Sequence, residues 1–160
     1  MSLKNSFLYF LVLIVLISCD KKRVFDEYKT VGNGWNKDSI VSFDLPAVDT
    51  KKQYNLFINI RDNNDYPFNN LFLIVNMEQP DKRTIVDTLE YQMANPDGSL
   101  LGEGFTDVKD NKLIYKERMK FNSGTYKIHI KQAVRQTGKV SGVVKLEGIT
   151  DVGFRIEKIE

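Results

Sequence analysis

The chain has 160 residues, 42 % of them hydrophobic, and carries 23 Lys and Arg against 21 Asp and Glu for a formal net charge of +2. That balance gives no electrostatic reason to expect nucleic acid as a partner. A single cysteine excludes an intrachain disulfide and a single histidine excludes a two-histidine metal centre, so the fold must rest on core burial.

The N-terminus carries Lys4 and then eleven apolar residues, Phe7 to Ile17. This run is too short to span a bilayer, whose hydrocarbon core of about 30 Å needs roughly 20 helical residues. A positive front, an apolar centre and a small residue before the cut are the parts of a secretory signal peptide. The run closes on Leu16-Ile17-Ser18-Cys19, which resembles the bacterial lipobox. There the cysteine thiol takes a diacylglycerol, the signal is cut before it, and the freed amine is acylated. Residues 1–18 are thus expected to be a lipoprotein signal peptide and Cys19 the lipid attachment site, a membrane anchor made effectively permanent by three acyl chains. Asp20 to Arg23 follow as a short solvated tether, residues 19–23, with three cations where stable recruitment to anionic headgroups takes about four to eight. Removing the first 18 of the 160 residues leaves 142, enough for one domain that buries about 68 % of its unfolded-chain surface. That domain is expected over residues 24–160.

From Val24 onward the apolar period is mostly two, the signature of strands with one buried face. Phe25 to Tyr28 reads as an edge strand, Gly32-Asn33-Gly34 as a turn, and Ser39 to Leu45 as a strand that Pro46 ends. Gln53 to Arg61 places Tyr54, Leu56, Ile58 and Ile60 on one face. A turn-rich stretch at Asp62 to Pro67 joins it to Leu71–Met77, apolar on both sides, and the two are expected to be antiparallel neighbours. Thr84 to Tyr91 alternates with Asp87 on its apolar side, and Asn95-Pro96-Asp97-Gly98 is the clearest turn. Phe105 to Val108 reads as a loop or short strand and Leu113 to Met119 as a strand. Thr125 to Lys131 alternates most cleanly, with His129 between two lysines on the wet face. Gln132 to Glu147 has no steady period and reads as a long connection with room for one helical turn. Ile149 to Glu157 closes the chain as a strand. Eight or nine strands without βαβ spacing predict an all-β fold, an antiparallel two-sheet β-sandwich of immunoglobulin-like or jelly-roll-like type.

Motifs for chemistry are sparse. Any Ser-His-Asp arrangement would have to use His129, which the strand pattern turns toward solvent. Asp62, Asn64 and Asp65 lack the spacing, glycine and glutamate of a calcium loop and read as turn residues whose side chains bond their own backbone. Gly102-Glu103-Gly104 lacks the lysine and hydroxyl of a phosphate loop. Trp35 is a candidate binding surface, since an exposed aromatic on a sandwich stacks on sugar rings. Core packing is the competing reading.

Four segments carry a wider resemblance: GNGWNKDSIVSFD at 32–44, YNLFINIRDNNDYPFNNLFLIV at 54–75, DTLEYQMANPDGSLLGEGFTDVKDNKLIYKE at 87–117 and GITDVGFRIEK at 148–158. With the lipobox and the length, they resemble the GldH family of gliding-motility lipoproteins of the Bacteroidota over almost the whole chain beyond the signal. The resemblance implies a cell-envelope lipoprotein required for gliding, a process linked in that phylum to type IX secretion. It brings no catalytic residue, metal or cofactor, and only Cys19 carries over, as the lipid attachment site. The absent catalytic set and the strand-rich pattern add the expectation of a non-enzymatic structural or interaction component that meets other envelope motility or secretion proteins through an open sheet edge. The alternative is an envelope carbohydrate-binding module built on Trp35. The outer membrane is the expected location and the inner membrane the alternative.

Overall fold

Alternating apolar and polar residues fold here into strands that pack their apolar faces together. The structure is a computed structural model describing residues 20–159 apart from positions 33 and 105, so the signal segment and Cys19 lie outside the described residues. Ten strands follow in order: β1 Arg23–Thr30, β2 Trp35–Asn36, β3 Val41–Leu45, β4 Tyr54–Asp62, β5 Asn70–Glu78, β6 Thr84–Gln92, β7 Lys109–Met119, β8 Tyr126–Gln132, β9 Lys145–Leu146 and β10 Ile149–Lys158. They form two four-stranded antiparallel sheets. Sheet I has the order β1-β10-β4-β7 and sheet II the order β3-β8-β5-β6, with a two-stranded ribbon β2-β9 beside them. The described residues contain no helix, and the fold is the expected all-β sandwich.

The inner faces supply the core. Leu56, Ile58 and Ile60 of β4 and Val152, Phe154 and Ile156 of β10 meet Leu71, Leu73, Val75 and Met77 of β5 and Ile128 and Ile130 of β8. Phe154 bridges the layers, its ring 6.0 Å from that of Phe43 on β3 and 6.2 Å from that of Tyr115 on β7. Each such aromatic buries roughly 150–250 Å².

Two details depart from the sequence reading. β4 and β5 are not paired: β4 lies between β10 and β7 in sheet I, and β5 between β8 and β6 in sheet II. Residues 63–69 therefore cross from one layer to the other, anchored by the Tyr66 hydroxyl, which donates to the Asn70 carbonyl at 2.8 Å. The stretch from Gln132 to Glu147 is no plain connection either. It holds the Arg135–Gly142 bridge and then β9, whose turn into β10 passes Gly148 at φ +79°, where a Cβ would lie 2.2 Å from the Tyr66 nitrogen.

Strand direction sorts the loops onto two ends. The leader at 20–22, loops 46–53, 79–83 and 120–125, and the C-terminal residues lie at one, here the leader end. Loops 31–40, 63–69, 93–108 and 133–148 lie at the far end.

Candidate functional site

Trp35 is not a binding surface. Its side chain is wholly buried, β2 pairs it with Leu146, and its indole Nε1 donates to the Ser39 carbonyl at 2.9 Å. Neither face of the ring is open to a sugar, because the β2-β9 ribbon closes that end of the core over it. The core reading of this residue holds.

His129 faces outward on β8, as its strand pattern requires. Its Nδ1 lies 2.7 Å from the Ser42 hydroxyl of β3. Across β5 the next residue in the row is Asn76, so no carboxylate stands where a Ser-His-Asp arrangement needs its orienting acid. Of the residues read as turn formers, Asp62 instead closes β4 and is buried, and the Asn64 amide reaches Asp107 at 3.4 Å. The backbone-bonding side chains are those of Asn63, which accepts from the Asp65 N–H, and Asp97, which accepts from the Ser99 N–H, each at 2.9 Å.

The outer face of sheet I holds the densest polar array. Rows across the sheet set Asp26 of β1 beside Arg155 of β10, and Tyr28 beside Gly153. Arg155 Nη1 donates to Asp26 at 2.6 Å, its Nε to Glu157 at 2.7 Å, and its Nη2 to Asp20 of the leader. The Arg155 side chain is only 14 % exposed, with Asp26 at 18 % and Glu157 at 14 %. Burial opposes the charge on Arg155, yet the bonds from Asp20, Glu157 and Asp26 outweigh it and raise its pKa. Beside it, the Tyr28 hydroxyl donates to Asp110 at 3.1 Å while Arg61 lies 4.0 Å from the Tyr28 ring centre and donates to Asp110 at 3.1 Å. Burial and the neighbouring Asp110 push the Tyr28 hydroxyl up to about 12. A cleft of about 590 Å³ crosses this face, with Asn59 at its floor and its Oδ1 unpartnered. Gly153 leaves room for Tyr28: a Cβ there would lie 2.9 Å from the ring.

On the inner side of the same sheet, Asp62 is fully buried and accepts a 2.8 Å bond from the Asn111 amide. Its other oxygen has no partner, and burial pushes its carboxyl up to about 6 against the pull of that bond.

The edges of the sheets differ. On β7 the Ile114 carbonyl is taken by the Tyr91 hydroxyl at 2.8 Å, and Asp110 exchanges backbone bonds with Glu103. β6 runs nine residues in unbroken register with β5, and among the described residues no strand pairs its other side. Ile85 and Val86 are exposed on it, Val86 at 61 %. Long open edges with apolar side chains are rare in monomers because they recruit another strand. Asp87 sits on this strand's inner side because the Tyr115 hydroxyl donates to it at 2.8 Å and Lys116 pairs with it at 2.9 Å, which explains the charge that interrupts the alternation.

The leader is docked rather than a free tether. Arg23 already belongs to β1, the Lys158 N–H donates to the Lys22 carbonyl at 2.9 Å, and Asp20 is held by Arg155. No helix of the described residues is long and apolar enough to cross a membrane.

Comparison with known proteins places these features in a family. The model of the family described as GldH lipoprotein matches residues 23–156. The chain is 68 % identical to the gliding motility lipoprotein GldH of Flavobacterium johnsoniae over 158 residues, covering 99 % of each chain. It is 56 % identical over 153 residues to a GldH homolog of Christiangramia forsetii, covering 95 % of this chain and 94 % of the other. Among solved structures, a family GH115 4-O-methyl-α-glucuronidase superposes with a TM-score of 0.44 at 11 % identity, over 90 % of this chain and 19 % of that one. The chain thus spans about a fifth of that enzyme's length. The chain belongs to the GldH lipoprotein family.

Proposed function

We propose that this chain is exported, cut before Cys19, lipidated there, and held in the cell envelope, at the outer membrane, as a non-enzymatic interaction component of the gliding machinery and its associated type IX secretion apparatus. Family membership supports the lipoprotein and motility parts of this reading. The observation that carries the interaction role is β6, a nine-residue open edge with Ile85 and Val86 exposed. A strand from an envelope partner adds to such an edge through main-chain hydrogen bonds, while the exposed side chains select it.

The test is a pull-down from intact envelopes with the wild-type protein, a Cys19→Ala version and an Ile85→Lys/Val86→Lys version. Charges on an edge strand block strand addition, so the lysine version should stay folded and lose envelope partners that the wild type retains. An unchanged partner set in the lysine version would remove β6 as the docking edge. No envelope partner with any version would remove the interaction role.

A further inference from the structure

The two ends of the sandwich carry opposite charge. At the leader end, Lys21, Lys22 and Arg23 are joined by Lys51 and Lys52 from the β3–β4 loop. Lys82 and Arg83 from the β5–β6 loop, Lys120 after β7 and Lys158 at the close of β10 come to the same end. These nine cations stand against four described anions there, Asp20, Asp49, Glu78 at the close of β5 and Asp81, a net charge of +5. The described loops of the far end hold four cations and six anions, a net charge of −2. Part of the leader-end charge is met internally: Lys52 lies 3.8 Å from Asp49, Arg83 pairs with Asp81, Lys82 lies 3.2 Å from Glu78 of β5, and Asp20 is turned onto Arg155. Lys21, Lys51 and Lys120 are exposed and have no ion pair among the described residues.

We infer that the leader end is a second membrane contact, a basic face that lies on anionic lipid headgroups and fixes the orientation of the domain on the bilayer. The inference rests on the reading of Cys19 as the anchor and goes beyond it. Asp20 is docked on the sheet, and its Cα is one peptide, about 3.8 Å, from that of Cys19. The lipid therefore leaves the domain at the basic end, with no slack to carry that end beyond a Debye length of about 8 Å. Three leader cations alone fall below the about four to eight that make an anchor-flanking cluster an anionic-lipid site; the loops raise the cluster above it. The partner surface is the headgroup layer of the leaflet that holds the anchor. β6 starts at that end with Thr84 and runs away from it, so Ile85 and Val86 lie at the membrane-proximal end of the open edge and its later residues stand clear of the headgroups.

The test uses the full lipoprotein purified from membranes and reconstituted into two kinds of vesicle, phosphatidylethanolamine with phosphatidylglycerol, and phosphatidylcholine alone. A water-soluble amine-acylating reagent is applied and each lysine is followed by mass spectrometry. Lys51, Lys82 and Lys120 should be protected several-fold in the anionic vesicles relative to phosphatidylcholine, with the protection lost at high salt, while Lys139 and Lys145 at the far end label alike in both. Equal labelling of the leader-end lysines in the two vesicles overturns the inference. So does equal protection in both, which would assign the shielding to the anchor alone. Failure of the anchor reading shows separately, as an intact mass without acyl groups and a protein that does not float with vesicles. The same labelling after simple mixing with each vesicle then decides the basic face by itself: salt-sensitive protection by the anionic vesicles supports it and none overturns it.

Discussion

The outer faces of the two sheets are built from the same alternation of residues yet hold their polar side chains differently. On sheet I, Arg155 is gripped by three carboxylates and Asp110 by Tyr28 and Arg61, with the central pair of the array, Arg155 and Asp26, mostly shielded from water. On sheet II the corresponding pairs are open, as in Lys127 and Asp44, 3.5 Å apart and 52 % and 84 % exposed. A polar face becomes structural when its charges are interlocked and half-buried, and remains a solvated surface when each pair stands alone in water.

That contrast can be broken or sharpened by substitution. The largest effect is expected for Arg155→Ala, which leaves the half-buried Asp26 without its cation and Glu157 with Lys112 alone, at about 3 kcal/mol. Urea unfolding measures it, and a loss under about 0.5 kcal/mol would return this face to the class of ordinary surface pairs. Asp62→Asn tests the inner side of the same sheet. Folded Asp62 holds its proton more tightly than the unfolded chain does, so its contribution to stability is complete below pH 3.8 and is lost as pH rises through about 6. The amide variant should therefore gain on the wild type as pH rises, by at most about 3 kcal/mol. Thermal melts of both proteins at low and neutral pH check this, and a pH-independent difference would contradict it. Gly153→Ala should cost about 1–3 kcal/mol by pushing Tyr28 off its seat. The same unfolding assay reads it, and a gain in stability would show that Tyr28 moves freely. The smallest effect is expected on sheet II, where Lys127→Ala should change unfolding free energy by about 0.5 kcal/mol or less in the same assay.

The long strands were legible in the sequence because each buries one face, so Tyr126, Ile128 and Ile130 announce β8 without help from the rest of the chain. The ribbon β2-β9 was not, because two-residue strands carry no period. The separation of β4 from β5 was also hidden: Asn63 and Asp65 signal a reversal of the chain, and a reversal reads the same whether it returns within a sheet or crosses to the other. Trp35 could be read as either core or surface, since its neighbours alternate too briefly to set its direction. The interlocked face of sheet I was out of reach because its partners, such as Asp26 and Arg155, lie 129 positions apart. The basic end was hidden for the same reason. Lys51, Lys82 and Lys120 look like scattered solubilising charges until strand direction brings their loops to one place.

The docked leader also has a mechanical meaning. If Cys19 carries the lipid as proposed, a pull toward the bilayer enters the domain at the first residues of β1 and runs along that strand. Its bonds to β10 stand across the line of pull, over a register running from Arg23↔Glu157 to Thr30↔Asp151. Such a load shears the ladder, so its bonds must yield together, whereas a pull across the strands would open them one at a time like a zip. A domain tied to its membrane in this way transmits traction where a slack linker would merely stretch.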